Sequence, residues 1–130
     1  CRRWSFDSSD WRAARRARHD FLEELTALAT PESDIRGAEI IFGELTANAA
    51  QYAPGHLDVA LDLDGEKPVL HFIDRGAGCS MVAPPDPRDL VEHGRGFWLL
   101  HRLGGEITIE VLPGFGSRIS VGLPVVRKAV

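Results

Sequence analysis

The stretch from Ile40 to Ala50 most constrains the fold. Ile40, Ile41, Phe42, Leu45, Ala47, Ala49 and Ala50 are apolar or small, so a helix built from them is expected to be largely buried. Pro54-Gly55 stops that helix at about Ala53, and the period changes at once. Leu57, Val59, Leu61 and Leu63 alternate with Asp58, Ala60 and Asp62, the two-residue repeat of a half-buried strand. A helix that needs cover, running straight into a strand with one apolar side, calls for a layer of helices on a layer of sheet.

The rest of the chain fits the same scheme. Ser8-Ser9-Asp10 offers capping oxygens, and Trp11, Ala14, Phe21, Leu22, Leu25 and Leu28 recur at helical spacing, so an amphipathic helix is expected over 10–28. Thr30-Pro31-Glu32 reads as the start of the second helix: a hydroxyl cap, a proline in the first turn and an acid near the positive end of the dipole. Trp4 and Phe6 suggest a short first strand. Val69 to Ile73 forms a strand ending at Asp74 and, through the Asp64-Gly65 turn, a hairpin with the preceding strand. Ile107, Ile109 and Val111, then Ile119, Val121 and Leu123, alternate on either side of Pro113-Gly114 and predict a second hairpin. Phe97, Leu99, Leu100 and Leu103 mark a short helix ended by Gly104-Gly105. The expected class is α+β: a two-layer sandwich of a mixed, mostly antiparallel sheet, two long helices on one face and water on the other.

Composition narrows the function. The 130 residues make one domain, 1–130. The chain opens at Cys1-Arg-Arg rather than at methionine, which reads as a domain excised from a longer chain or processed. A formal net charge of −4 argues against a general nucleic-acid binder. The arginines between Arg12 and Arg18 are expected to coat the wet face of the first helix, the alternative being a site for an anionic partner. Cys1 and Cys79 imply neither a disulfide framework nor a zinc site, so a reducing cytoplasm is the expected location. No apolar run is long enough to span a bilayer. His19, His56, His71, His93 and His101 lack metal-ligand spacing, and no serine–histidine–aspartate arrangement can be read from their order.

Four short motifs carry chemistry. Glu44 and Asn48 are four residues apart on one face of the second helix, with Gln51 extending the stripe. Asn48 suits a magnesium ion, which takes oxygen donors and retains waters and phosphate oxygens. Glu44 suits a base or water-orienting group beside the phosphate; both also suit bonds to neighbouring loops. Asp74 closes an apolar strand ahead of Gly76 and Gly78. These glycines permit positive φ and close approach of a ligand to the main chain, although the same pattern makes an ordinary turn. Asp74 has acceptor oxygens for the exocyclic amine of adenine. Gly94-Arg95-Gly96 precedes the short helix, where backbone N–H groups favour phosphate and Arg95 adds charge. Gly116-Ser117 lies in the last hairpin, its serine a donor for the adenine site or a plain hairpin residue. Residues 79–93, with Pro84, Pro85 and Pro87, form a long irregular loop of the kind that is usually functional.

In this order and setting the motifs resemble the ATPase superfamily of DNA gyrase B, histidine kinases and mismatch-repair proteins. The likeness runs from about Trp4 to Pro124. The Glu-Leu-Thr-Ala-Asn-Ala wording of the helix and the Gly-Arg-Gly-Phe-Trp-Leu-Leu helix entry are similar to the bacterial anti-sigma-factor serine kinases. The resemblance implies ATP and Mg2+ as cofactors. It makes Glu44 the catalytic glutamate, Asn48 the magnesium-binding asparagine and Asp74 the adenine-recognising aspartate. Gly76 and Gly78 would form the turn beneath the base. Gly94, Arg95 and Gly96 would lie along the phosphates at the end of the 79–93 lid, and Ser117 would stand in for the usual threonine. Tyr52 departs from the histidine common at its position.

Three functions follow. The first is an anti-sigma-type serine/threonine kinase, which phosphorylates an antagonist protein, sequesters a sigma factor and forms a homodimer by resemblance. The second is the ATP-binding domain of a histidine kinase, opposed by the absence of a Phe-x-Pro-Phe-like element around Met81-Val82-Ala83-Pro84-Pro85. The third is a non-catalytic nucleotide-dependent module fused to a phosphatase or sensor domain.

Overall fold

The computed structural model describes residues 2–52, 54–74, 102–112 and 116–128. The chain runs β1 (Arg2–Asp7), α1 (Trp11–Leu28), α2 (Ile35–Tyr52), β2 (His56–Asp62), β3 (Val69–Asp74), β4 (Ile107–Leu112) and β5 (Gly116–Gly122). The strands form one sheet in the order β1-β2-β3-β5-β4. Every pairing among them is antiparallel. Both helices pack on one face of it, giving the two-layer α+β sandwich. The short helix predicted over 97–103 and the 79–93 loop lie outside the described residues, apart from Arg102 and Leu103.

Local chemistry sets the helix starts. The Asp10 carboxylate caps α1, accepting from the backbone N–H of Arg12 at 3.2 Å and of Ala13 at 3.1 Å. The predicted start of α2 at Thr30-Pro31-Glu32 is corrected: these residues form a turn, and the helix begins at Ile35. Ser33 N–H bonds the Thr30 carbonyl at 3.0 Å, and the Ser33 hydroxyl accepts from Val126 N–H at 2.9 Å. The hydroxyls near Pro31 therefore tie the turn to the C-terminal segment. Asp34 is the cap instead, its side chain accepting from Gly37 N–H at 2.8 Å and its carbonyl from Ala38 N–H at 3.1 Å.

The core lies between the layers. Ala17, Phe21 and Leu25 of α1 and Ala38, Ile41, Phe42 and Leu45 of α2 are buried against Leu57, Val59, Leu61, Leu70 and Phe72 of the sheet. Phe42 links the layers, its ring centroid 4.8 Å from Phe21 and 5.2 Å from Phe72. Burial of α2 is less complete than its composition predicts. Ala47 is exposed and Gly43 and Ala50 are half-buried, because a two-layer sandwich covers a helix only on its sheet side and on the flank that meets its neighbour.

The outer sheet face is polar, as expected. On it the His71 ring nitrogen Nδ1 lies 2.7 Å from Ser120 Oγ, and Nε2 lies 4.0 Å from Asp62. Beside them Arg118 forms a two-pronged contact with Glu110 at 2.8 Å. The serine, histidine and aspartate come together only through strand register, so their order concealed them. The 4.0 Å gap exceeds a hydrogen bond, and the trio serves as a polar tie across β2, β3 and β5.

Candidate functional site

Among the described residues, the topology brings Asp74, Ser117 and the last turns of α2 to one end of the sandwich. α2 starts where Asp34 N–H bonds the Pro124 carbonyl at 2.9 Å, just beyond the C-terminal end of β5. It runs back to Tyr52, and a short link leads to His56 and Leu57. Leu57 pairs with Asp74, and Asp74 pairs with Ser117. The last turns of α2, the end of β3 and the start of β5 therefore share one end of the molecule. Ser8 and Gly55 brace it, with Ser8 N–H donating to the Gly55 carbonyl at 2.8 Å and Gly55 N–H to the Ser8 hydroxyl at 3.1 Å.

Asp74 is the central group. β3 alternates so that Leu70, Phe72 and Asp74 all face the helices, which puts a carboxylate where the period calls for an apolar side chain. Its relative exposure is 9%, and a charge buried that far requires hydrogen bonds. Ser117 Oγ donates to Asp74 Oδ2 at 2.5 Å, directly across the β3–β5 pair. Gly116 precedes that serine with φ +125°, and a Cβ there would overlap the Asp74 carbonyl oxygen and come within 2.9 Å of Oδ1. Glycine at 116 thus lets β5 approach the strand end closely enough for Ser117 to hold the carboxylate.

Glu44 and Asn48 lie on one face of α2, both half-buried. Among the described residues neither has a hydrogen-bond or ion-pair partner, so the neighbouring-loop bonds considered above are not formed there. Glu44 and Asn48 offer unengaged oxygens of the kind a hard cation accepts, and Asp74 offers an acceptor suited to an amine. No group of three or more histidine, cysteine, aspartate or glutamate side chains suited to a metal occurs among the described residues. A magnesium site of one protein ligand plus phosphate oxygens needs no such group. Gly76, Gly78, Gly94, Arg95 and Gly96 lie outside the described residues. Gly116 was a missed contributor beyond its place in the Gly116-Ser117 motif; a glycine immediately before the hydroxyl residue was the available signal.

Taken together, the structure is a two-layer α+β sandwich with a buried aspartate at a strand end and a polar stripe on α2. The model of the histidine kinase-like ATPase domain matches residues 8–116, and the chain belongs to that family. Comparison with curated proteins found no match. The family makes this an ATP-binding type of domain. Among the described residues no helix is long and apolar enough to cross a membrane.

Proposed function

We propose that the chain binds ATP with magnesium and acts as a protein serine/threonine kinase of the anti-sigma-factor type. The observation that carries this reading is the buried Asp74 carboxylate, held by Ser117 at 2.5 Å, at the end of the molecule where the Glu44–Asn48 stripe runs out. Asp74 accepts a hydrogen bond from the exocyclic amine of adenine, and Ser117 fixes the carboxylate's orientation. A guanine would set its carbonyl oxygen against that carboxylate, two acceptors without a proton between them, so the site favours ATP over GTP.

Bound ATP supplies the transferable phosphoryl group, a chemistry that asks the protein chiefly for positioning and charge stabilisation. The Asn48 side-chain oxygen is a ligand for the magnesium ion. Glu44, one helical turn earlier, orients the serine hydroxyl of an antagonist protein and takes its proton. The family resemblance assigns Gly94, Arg95 and Gly96 to the phosphates and Gly76 and Gly78 to the base, all five lying outside the described residues. In its other state the domain sequesters a sigma factor, working as a homodimer in the cytoplasm.

The test has two parts. Calorimetric titration with ATP and magnesium should show binding that Asp74→Asn abolishes and that loses its magnesium dependence in Asn48→Ala. Glu44→Ala should keep nucleotide but lose transfer to an antagonist protein. Wild-type transfer by that variant would remove Glu44 from its role. Binding with no transfer to any antagonist would reduce the function to a nucleotide-dependent regulatory module.

A further inference from the structure

A second surface lies between α1 and α2, on another flank of α2 and reaching the same end of the molecule, where Ser8 and Ala50 line it. Trp11, the first residue of α1, is 64% exposed, the one exposed large hydrophobic side chain among the described residues. Between it and α2 runs an open groove of about 360 Å³. Trp11, Arg15 and Arg18 wall it on the α1 side, and Gly43, Ala47 and Ala50 of α2 floor it. The Arg18 guanidinium crosses the groove, 3.7 Å from where a Cβ on Gly43 would stand. An alanine at 43 would meet that guanidinium at ordinary van der Waals distance, whereas a longer side chain would fill the floor.

The charge pattern of α1 runs against the stability of an isolated helix. Arg12, Arg15, Arg16 and Arg18 come before its first acid, Asp20, and the first turn holds no acidic residue. Cations at a helix N-terminus oppose the dipole, and Arg12 and Arg16, four apart, repel each other. Among the described residues none of the four has an ion-pair partner, although Arg12 lies over the Trp11 ring at 5.3 Å. Four uncompensated cations beside an exposed indole, in a chain of net charge −4, form a concentrated positive site.

We propose that this groove docks an acidic amphipathic helix of a partner protein. An aliphatic side chain of the partner packs on Trp11, Ala47 and Ala50, and its carboxylates pair with Arg15 and Arg18, the helix-in-groove mode of recognition. Gly43, Ala47 and Ala50 present methyl groups and backbone, and the Thr46 hydroxyl that also lines the groove already donates to the Phe42 carbonyl at 2.8 Å, which suits an aliphatic anchor. A polyphosphate would pair with the arginines but leave the apolar floor at Ala47 and Ala50 and the Trp11 ring without a partner. Gly43, Ala47 and Ala50 are each turned about 100° around α2 from Glu44, Asn48 and Gln51 respectively, so the groove and the nucleotide stripe occupy neighbouring flanks of the helix; the proposal does not rest on the kinase reading.

The test uses the full chain and a fluorescein-labelled peptide of about five helical turns, with leucine at i, i+3, i+4 and i+7 positions and glutamate elsewhere. Fluorescence anisotropy without nucleotide should show saturable binding that weakens with added salt. Trp11→Ala and Arg15→Glu should each lower affinity on the order of tenfold. Ala47→Glu, which puts a like charge on the floor, should do the same. All three positions are exposed, so circular dichroism and thermal midpoints should match wild type and separate lost docking from lost folding. The proposal is overturned if the peptide fails to bind or binds all variants alike. It is also overturned if a lysine-for-glutamate version binds equally well. Tighter binding of an oligothymidine strand than of the peptide would assign the face to nucleic acid and reject the partner helix.

Discussion

Two glycines with positive φ allow the strand-end geometry to be tested by difference. Gly55 has φ +131° and nothing within 4 Å of a Cβ; Gly116 has φ +125° and a Cβ position that overlaps the Asp74 carbonyl oxygen. Replacing either by alanine places a side chain in a backbone conformation that costs about 1–3 kcal/mol. Only Gly116→Ala adds a steric term, because β5 must move away from β3; overpacking of this kind costs about 1–3 kcal/mol more. Gly116→Ala should therefore lose about 2–6 kcal/mol in all, a large share of the roughly 5–15 kcal/mol of a typical domain. Urea unfolding followed by tryptophan fluorescence reads the difference directly. An extra 2 kcal/mol shifts the midpoint by about 1 M. The folded fraction of Gly116→Ala should also bind ATP more than about tenfold more weakly, since Ser117 no longer meets Asp74, whereas Gly55→Ala, which leaves the Ser117–Asp74 pair in place, should lose much less affinity. Equal midpoints for the two variants would refute the close approach of Gly116 to Asp74, and unchanged ATP affinity in Gly116→Ala would refute its importance for the site.

Two further expectations concern the core and the outer face. Phe42→Ala removes a fully buried ring that touches Phe21 and Phe72 and should cost about 3–5 kcal/mol in urea unfolding; a loss below about 1 kcal/mol would show that the aromatic column does not link the layers. His71 titrates below the ordinary histidine value of 6.5, first because burial disfavours its charged form and second because the Arg118 cation repels it, with Asp62 and Glu110 acting in the opposite direction. The unfolded chain thus takes up this proton first, so His71's contribution to stability is complete above about pH 6.5 and is lost as pH falls towards the lower folded-state pKa. His71→Gln should flatten that part of the profile of thermal midpoint against pH. An NMR titration placing the His71 pKa at or above 6.5 would reverse the sign.

Periodicity carried much of the architecture. The three-to-four spacing of Phe21, Leu25 and Leu28 located α1 to within a residue, and the alternations at 57–63, 69–73, 107–111 and 119–123 located both hairpins. Pro54-Gly55 marked the end of α2 because a helix stop is a local event. The start of α2 was not legible, because Ser33 bonds Val126, 93 residues away, and the cap passed to Asp34. Glu44 and Asn48 were readable as one helical stripe and Asp74 as a strand-end carboxylate, but nothing local showed that Ser117 would face Asp74.

The order of elements, their faces and the chemical character of each candidate residue followed from the amino-acid sequence, since a helix or strand repeat is written within about ten neighbouring residues. Tertiary structure alone decided that β5 enters between β3 and β4, pairing Ser117 with Asp74 and Ser120 with His71. It alone opened a groove between α1 and α2 under Trp11. Those outcomes depend on which distant segments bury each other's apolar faces and complete each other's hydrogen bonds, a choice made by the whole chain when it collapses around Phe42 and its neighbours.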